Sequence, residues 1–192
     1  MKLNRLLENN DMGCVYAGPG DPAQIEIASV ETDHRNCRKG SLFVCIQGYV
    51  KDGHQYAGAA VAAGAAAVLA QSREALEKYG FDAQRSGAAL ILCPDTRWAL
   101  SGVCAAFYGN PSRKLRLIGV TGTKGKTSTT YMLRSIYRAA GMETGLIGTI
   151  CNKIGEEEIP TERTTPEANV LQDLLSRMTE RRIGTCIMEV SS

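Results

Sequence analysis

Short apolar runs alternate along most of the chain with segments whose apolar positions recur every three or four residues. Runs at 25–30, 42–46, 65–69 and 88–93 read as strands, 56–63 as a helix of small residues, and 74–79 as the centre of a charged helix. Asp95 is placed to cap a helix through Phe107, and the Gly-Asn-Pro-Ser stretch at 109–112 stops it. Beyond that stop the pattern predicts a strand at 115–120, a glycine-rich turn and a helix to Ala140. A strand at 144–150 follows, then a hairpin or loop over 151–162, a helix over 166–181 and a strand at 185–190. Strands separated by helices imply parallel βαβ units and an α/β fold.

The stop at 109–112 is the natural domain boundary and divides the chain into 1–110 and 111–192. The first part is long enough to stand alone. The second opens as a nucleotide-binding domain but reaches only its third strand, few for such a sheet, so the sequence reads as the leading part of something longer.

Composition narrows the partners. Of 192 residues 44% are hydrophobic and 22% charged, the balance of an ordinary globular protein. The net charge is +2, and the basic residues are scattered, with small clusters at 113–116 and 181–182. Nucleic-acid binding calls for a basic stripe with interleaved aromatics, so no nucleic-acid partner is expected. Seven cysteines, without a Cys-x-x-Cys pair, read as reduced structural thiols of a cytoplasmic protein. The N-terminal residues lack the apolar core of a signal peptide, and no run is long enough for a membrane span. Neither zinc-ligand spacing nor a Gly-x-Ser-x-Gly elbow occurs.

The chemistry concentrates in GVTGTKGKTSTT, residues 119–130. A strand before, two glycines, a Lys-Thr pair and a helix after are the parts of a phosphate loop. Glycines let backbone N–H groups close on anionic oxygens at a helix N-terminus, whose dipole adds attraction. Gly122 and Gly125 suit that approach, Lys126 supplies a cation to the β- and γ-phosphates, and the Thr127 hydroxyl can ligate Mg2+. The loop is short, since the common spacing demands glycine where Val120 stands. The full candidate ATP-binding set is Gly122, Thr123, Lys124, Gly125, Lys126, Thr127 and Ser128.

Two further stretches carry double readings. In RTTPEAN, 163–169, Thr165 with Pro166 makes an ordinary helix start and Thr164 with Glu167 has capping-box spacing. An N-terminus with free donors also suits an anionic substrate. In CIMEVSS, 186–192, Glu189 either emerges into solvent at a strand end or is a buried carboxylate that needs a partner or a metal.

TGTKGKT at 121–127 resembles the short phosphate loop of the ATP-dependent Mur ligases and their folylpolyglutamate synthetase relatives, with Lys124 where Asn is frequent. TTPE at 164–167, EVSS at 189–192, and the order of Asp33-His34-Arg35, GSLFV at 40–44 and DGH at 52–54 are similar to the Mur ligase branch that extends UDP-N-acetylmuramoyl-L-alanyl-D-glutamate. The resemblance implies an N-terminal UDP-binding α/β domain followed by the first part of a P-loop-type central ATPase domain with a mainly parallel sheet. It implies an ADP-forming amide ligase of peptidoglycan precursor synthesis, with ATP and Mg2+ as cofactors. In the reaction the resemblance implies, the D-Glu carboxylate is activated as an acyl phosphate and attacked by a diamino acid. By resemblance Lys126 is catalytic, Thr127 and Glu189 hold the metal, and the UDP-muramoyl substrate meets His34, Gly48, Tyr49, Val50, Lys51, Thr164, Thr165, Ser191 and Ser192. His34 stands where the family has Ser, so it either donates a hydrogen bond or stacks on uracil; His54 reads equally as a half-exposed helix-start residue or as a ligand. The family's carbamylated lysine and its amino-acid-selecting domain have no counterpart in these residues. A monomer that is inactive alone is expected, with a small-molecule P-loop kinase and a non-catalytic UDP-sugar-binding module as alternatives.

Overall fold

Each half of the chain folds around its own sheet: the computed structural model divides into Met1–Phe107 and Tyr108–Ser192. It describes residues 1–8, 12–48 and 50–191.

In the first unit the elements run α1 (Leu3–Leu7), β1 (Val15–Tyr16), β2 (Ser29–Glu31), β3 (Ser41–Val44), α2 (Ala57–Ala62) and β4 (Ala65–Ala70). They continue through α3 (Arg73–Glu77), α4 (Ala83–Ser86), β5 (Ala89–Leu92) and α5 (Thr96–Phe107). The sheet order is β1-β5-β4-β3-β2, parallel throughout except for β1. All of β3 is buried, which fits a parallel strand covered on both faces. Phe43, Val68 and Leu90 meet Ala57, Ala60, Leu76 and Phe81 in one core, where small α2 side chains let the helix lie close on β4. Gly64 ends α2 with φ +107°, and a Cβ there would fall 2.8 Å from Lys39 N, so only glycine fits this turn. Asp95 does cap α5: Oδ1 accepts from Arg97 N and Trp98 N, both at 2.9 Å.

The expected strand at 25–30 begins later, at Ser29. Residues 25–27 instead bond to the N-terminal segment, with Leu3 N donating to Ile25 O and Ile27 N to Met1 O. Strand β1 and helices α1 and α4 were not predicted; two and four residues of β1 and α4 are too short to show a period.

The second unit runs β6 (Arg116–Val120), α6 (Lys126–Ala139), β7 (Gly145–Ile147), β8 (Asn152–Ile154), β9 (Glu157–Ile159), α7 (Ala168–Glu180) and β10 (Thr185–Glu189). Its sheet order is β6-β10-β7-β8-β9, with β6, β10 and β7 parallel and β8 and β9 a hairpin. Ile147, Ile154, Leu174, Leu175, Met178 and Cys186 form the core under α7. Two expected boundaries shift. The strand predicted over 144–150 stops at Ile147, and the helix predicted from Pro166 starts at Ala168 after Glu167. Both freed segments, 148–149 and 164–167, lie beside the end of β10, and the site explains why.

Candidate functional site

Parallel strands β6, β10 and β7 end side by side, the position at which open α/β sheets hold ligands. After β6 the chain turns through the glycine loop into α6. Gly122 has φ +141° and Gly125 φ +81°, left-handed conformations that fold the loop back on itself. Gly125 is the N-cap of α6 and no side chain caps that end, so the first-turn amides are left to face an anion. Lys126 Nζ donates to Gly122 O at 2.7 Å, which holds the ammonium over the loop. Thr123, Lys124 and Ser128 are exposed, and Thr127 half-buried.

Glu189 closes β10 and is 1% exposed, so the reading of a carboxylate emerging into solvent is overturned. Three donors satisfy it: Thr127 Oγ1 to Oε2 at 2.9 Å, Thr149 N to Oε1 at 3.0 Å, and Thr149 Oγ1 to Oε2 at 3.1 Å. A carboxylate buried with this many bonds keeps the interaction energy that burial otherwise removes. Gly148 makes room for it, since a Cβ there would lie 2.3 Å from Glu189 Oε1.

The two threonines of TTPE do not cap α7. Thr165 Oγ1 donates to Glu189 O at 3.0 Å and accepts from Ser191 N at 2.9 Å, with Ser191 Oγ 3.1 Å away. Thr164 Oγ1 lies 2.9 Å from Thr149 Oγ1, and Glu167 pairs with Arg163 in place of a capping box. The hydroxyls have better partners at the end of β10 than at the helix, so α7 starts two residues late without a side-chain cap. Lys126, Thr127, Thr149, Thr164, Thr165, Glu189 and Ser191 are thus gathered at the carboxyl ends of the parallel strands; Ser192 lies outside the described residues. Thr149 was missed because the apolar run around it reads as uninterrupted strand. The Gly-Thr pair at its end was the available signal.

Mg2+ takes hard oxygen ligands, usually one or two carboxylates together with phosphate oxygens and water. Thr127 Oγ1 and Glu189 Oε2, 2.9 Å apart beside the glycine loop, fit that demand.

The remaining candidates belong to the first unit. His34 sits in a 3-10 turn, His34–Asn36, capped by Asp33, and its ring stacks on Tyr56 with centroids 4.6 Å apart and planes 7° from parallel. The bonds from the Arg35 guanidinium and amide hold the Asp33 carboxyl down at about 2. Gly48 N donates to Lys51 O at 2.9 Å in a tight turn that leaves Lys51 exposed and Val50 94% exposed. Tyr49 lies outside the described residues. His54 is 1% exposed and structural, not half-exposed. Its Nε2 accepts from Gln71 N at 3.1 Å, which puts the proton on Nδ1, 2.6 Å from Asp52 Oδ1. Burial raises the Asp52 carboxyl, but the His54 bonds outweigh it and the net shift is downward.

Comparison with known proteins supplies the context. Residues 26–108 match the model of the Mur ligase family catalytic domain, and 120–192 that of the Mur ligase middle domain. A UDP-N-acetylmuramoyl-L-alanyl-D-glutamate–2,6-diaminopimelate ligase of Bacillus licheniformis is 46% identical over 192 residues, all of this chain and 37% of that protein. The enzyme of the same name from Clostridium botulinum is 42% identical over all of this chain and 38% of its own length. The chain therefore spans little more than a third of these relatives. A solved structure of a ligase with that name superposes with TM-score 0.71 at 22% identity, over 91% of this chain and 34% of the other. A MurF ligase from Thermotoga maritima solved in complex with ADP gives TM-score 0.56 at 19% identity, over 88% and 33%. These two likenesses show the fold. No helix among the described residues is long and apolar enough to cross a membrane. With two of its domain models matched along most of the sequence and close relatives aligned over the whole of it, the chain belongs to the Mur ligase family.

Proposed function

We propose that this chain is the substrate- and phosphate-binding portion of an ATP-dependent ligase that adds a diamino acid to UDP-N-acetylmuramoyl-L-alanyl-D-glutamate. The observation that carries the reading is the bond between Thr127, first turn of the phosphate-loop helix, and buried Glu189 at the end of the neighbouring strand. Family membership and the names of relatives above 40% identity support the substrate, and those names favour 2,6-diaminopimelate as the diamino acid.

In this reading residues 1–110 hold the UDP-muramoyl end, through His34, Gly48, Val50 and Lys51 together with Tyr49. Residues 111–192 hold ATP through Gly122, Thr123, Lys124, Gly125, Lys126, Thr127 and Ser128. Lys126 leaves Gly122 O to neutralise charge on the transferring phosphoryl group, the main protein contribution to such a step. Thr127 and Glu189 would hold Mg2+, which would supply Lewis-acid charge stabilisation when bound. Thr149 keeps the Glu189 carboxylate aimed along the strand ends. Thr164, Thr165, Ser191 and Ser192 orient the acceptor carboxylate in line with the γ-phosphate.

Equilibrium binding of a fluorescent ATP analogue, with and without magnesium, tests the nucleotide half. Binding strengthened by magnesium and weakened at least about tenfold, ~1.4 kcal/mol, in Lys126→Ala supports the proposal. Binding indifferent to both contradicts it. The chain by itself is expected to form no amide from UDP-substrate, ATP and diaminopimelate, and robust turnover by residues 1–192 refutes the proposed division of labour.

A further inference from the structure

Strand β1 is only two residues long, yet its register continues past its ends. Val15 faces Leu92 and Tyr16 faces Ile91, so Cys14 comes opposite Cys93. Two contacts outside the assigned strand agree with that continuation. Ala17 N donates to Leu90 O at 2.8 Å, and a Cβ on Gly13 would lie 3.8 Å from Pro94 Cδ. Leu90 O faces Ala17 N, whereas Cys93 N turns the other way to Ala70 O at 2.9 Å, so alternation along the ladder makes Cys14 and Cys93 a non-hydrogen-bonded pair. Such pairs bring Cα atoms to about 4.5 Å with side chains close, inside the ~4.4–6.8 Å that a disulfide spans. The two thiols are hydrogen-bonded to each other, and Cys93 Sγ also donates to Met12 O at 3.0 Å. Neither is in a disulfide, and the pair is 3% and 1% exposed.

We propose that Cys14 and Cys93 are a dithiol modification site that a peroxide converts to an intrachain cross-strand disulfide, fastening the segment around β1 to β5. One thiol, as thiolate, attacks a peroxide oxygen and the O–O bond breaks, leaving a sulfenic acid. The second sulfur displaces hydroxide from it, and the two thiol protons complete two waters. Two thiols are oxidised by two electrons and one peroxide is reduced. Burial pushes the Cys14 thiol up to about 12, so the reaction is slow at neutral pH and accelerates as pH rises.

The folded 192-residue chain is treated with hydrogen peroxide, unfolded in iodoacetamide and digested with trypsin without reductant. Cleavage after Arg5, Arg35, Arg85 and Arg97 isolates Cys14 in peptide 6–35 and Cys93 in peptide 86–97. The expected product is these two peptides joined, two hydrogens lighter than their sum and separated by dithiothreitol. It is absent from Cys14→Ala and Cys93→Ala and retained in Cys37→Ala. Recovery of both peptides alkylated, under treatment that oxidises other cysteines of the chain, overturns the proposal, as does Cys14 joined to any other cysteine. The wild-type map decides by itself if an alanine variant fails to fold.

Discussion

Gly148→Ala places a methyl group where the structure has a carboxylate. The added Cβ would sit 2.3 Å from Glu189 Oε1 and 3.1 Å from Cδ, both inside contact distance. A flexible surface side chain would swing away, but Glu189 is 1% exposed and held by Thr127 and Thr149. To admit the methyl, the carboxylate must leave the Thr149 amide, and bonds to charged groups contribute about 1.5–3 kcal/mol each. Overpacking alone costs about 1–3 kcal/mol. The same displacement causes both losses, so they overlap, and about 2–4 kcal/mol in total is expected. With a urea slope of about 2 kcal/mol/M, the midpoint falls by roughly 1–2 M. Far-UV circular dichroism follows both units, while Trp98 fluorescence reports on the first, where the only tryptophan lies. A companion variant, Glu189→Ala, removes the clashing group, so the double mutant should lose less than the two singles together, by more than about 1 kcal/mol. A Gly148→Ala chain within about 0.5 kcal/mol of wild type, or an additive cycle, refutes the account of this carboxylate.

Three other expectations concern single residues. His54→Phe leaves the Gln71 amide without its acceptor and Asp52 without its ring partner; a loss of about 1–3 kcal/mol is expected by Trp98 fluorescence in urea, and an unchanged midpoint contradicts the structural role. Arg35→Ala should let the Asp33 carboxyl rise from about 2 towards its ordinary 3.8, as read by NMR titration. Because the folded value is depressed, the stability Asp33 contributes is full above about 4 and lost as pH falls to about 2, so this variant should lose less stability over that window; titration still near 2 would exclude the Arg35 guanidinium as the cause. Thr165→Val removes the acceptor of Ser191 N–H and the donor to Glu189 O; hydrogen exchange at the Ser191 amide should quicken several-fold, and an unaltered rate would mean the threonine holds nothing there.

Much of the fold is legible because the strands β3, β4 and β5 are apolar runs bounded by turn residues. The glycine loop between β6 and α6 is legible because strand, glycines, Lys-Thr and helix all fall in one window. What local pattern misplaced was decided at a distance. Pro166 and Thr165 look like a helix start, and only the approach of β10 gives Thr165 a better partner in Glu189 O, 24 residues away. Thr149 was hidden for the same reason: its value lies in a carboxylate 40 residues along the chain. His54 looked half-exposed because nothing local announces that Gln71 will present an amide to it. Residues 25–27 were read as strand on their own apolarity, whereas their partners are the first residues of the chain.

The proposed function requires residues before the glycine loop to recognise a UDP-muramoyl ligand. Isothermal titration of the 192-residue chain with UDP-N-acetylmuramoyl-L-alanyl-D-glutamate is the test. Saturable one-site binding is expected, weakened in His34→Ala and competed by UDP. No binding up to millimolar ligand, by a chain whose circular dichroism shows it folded, would contradict the account and leave a phosphate-loop protein of another substrate class.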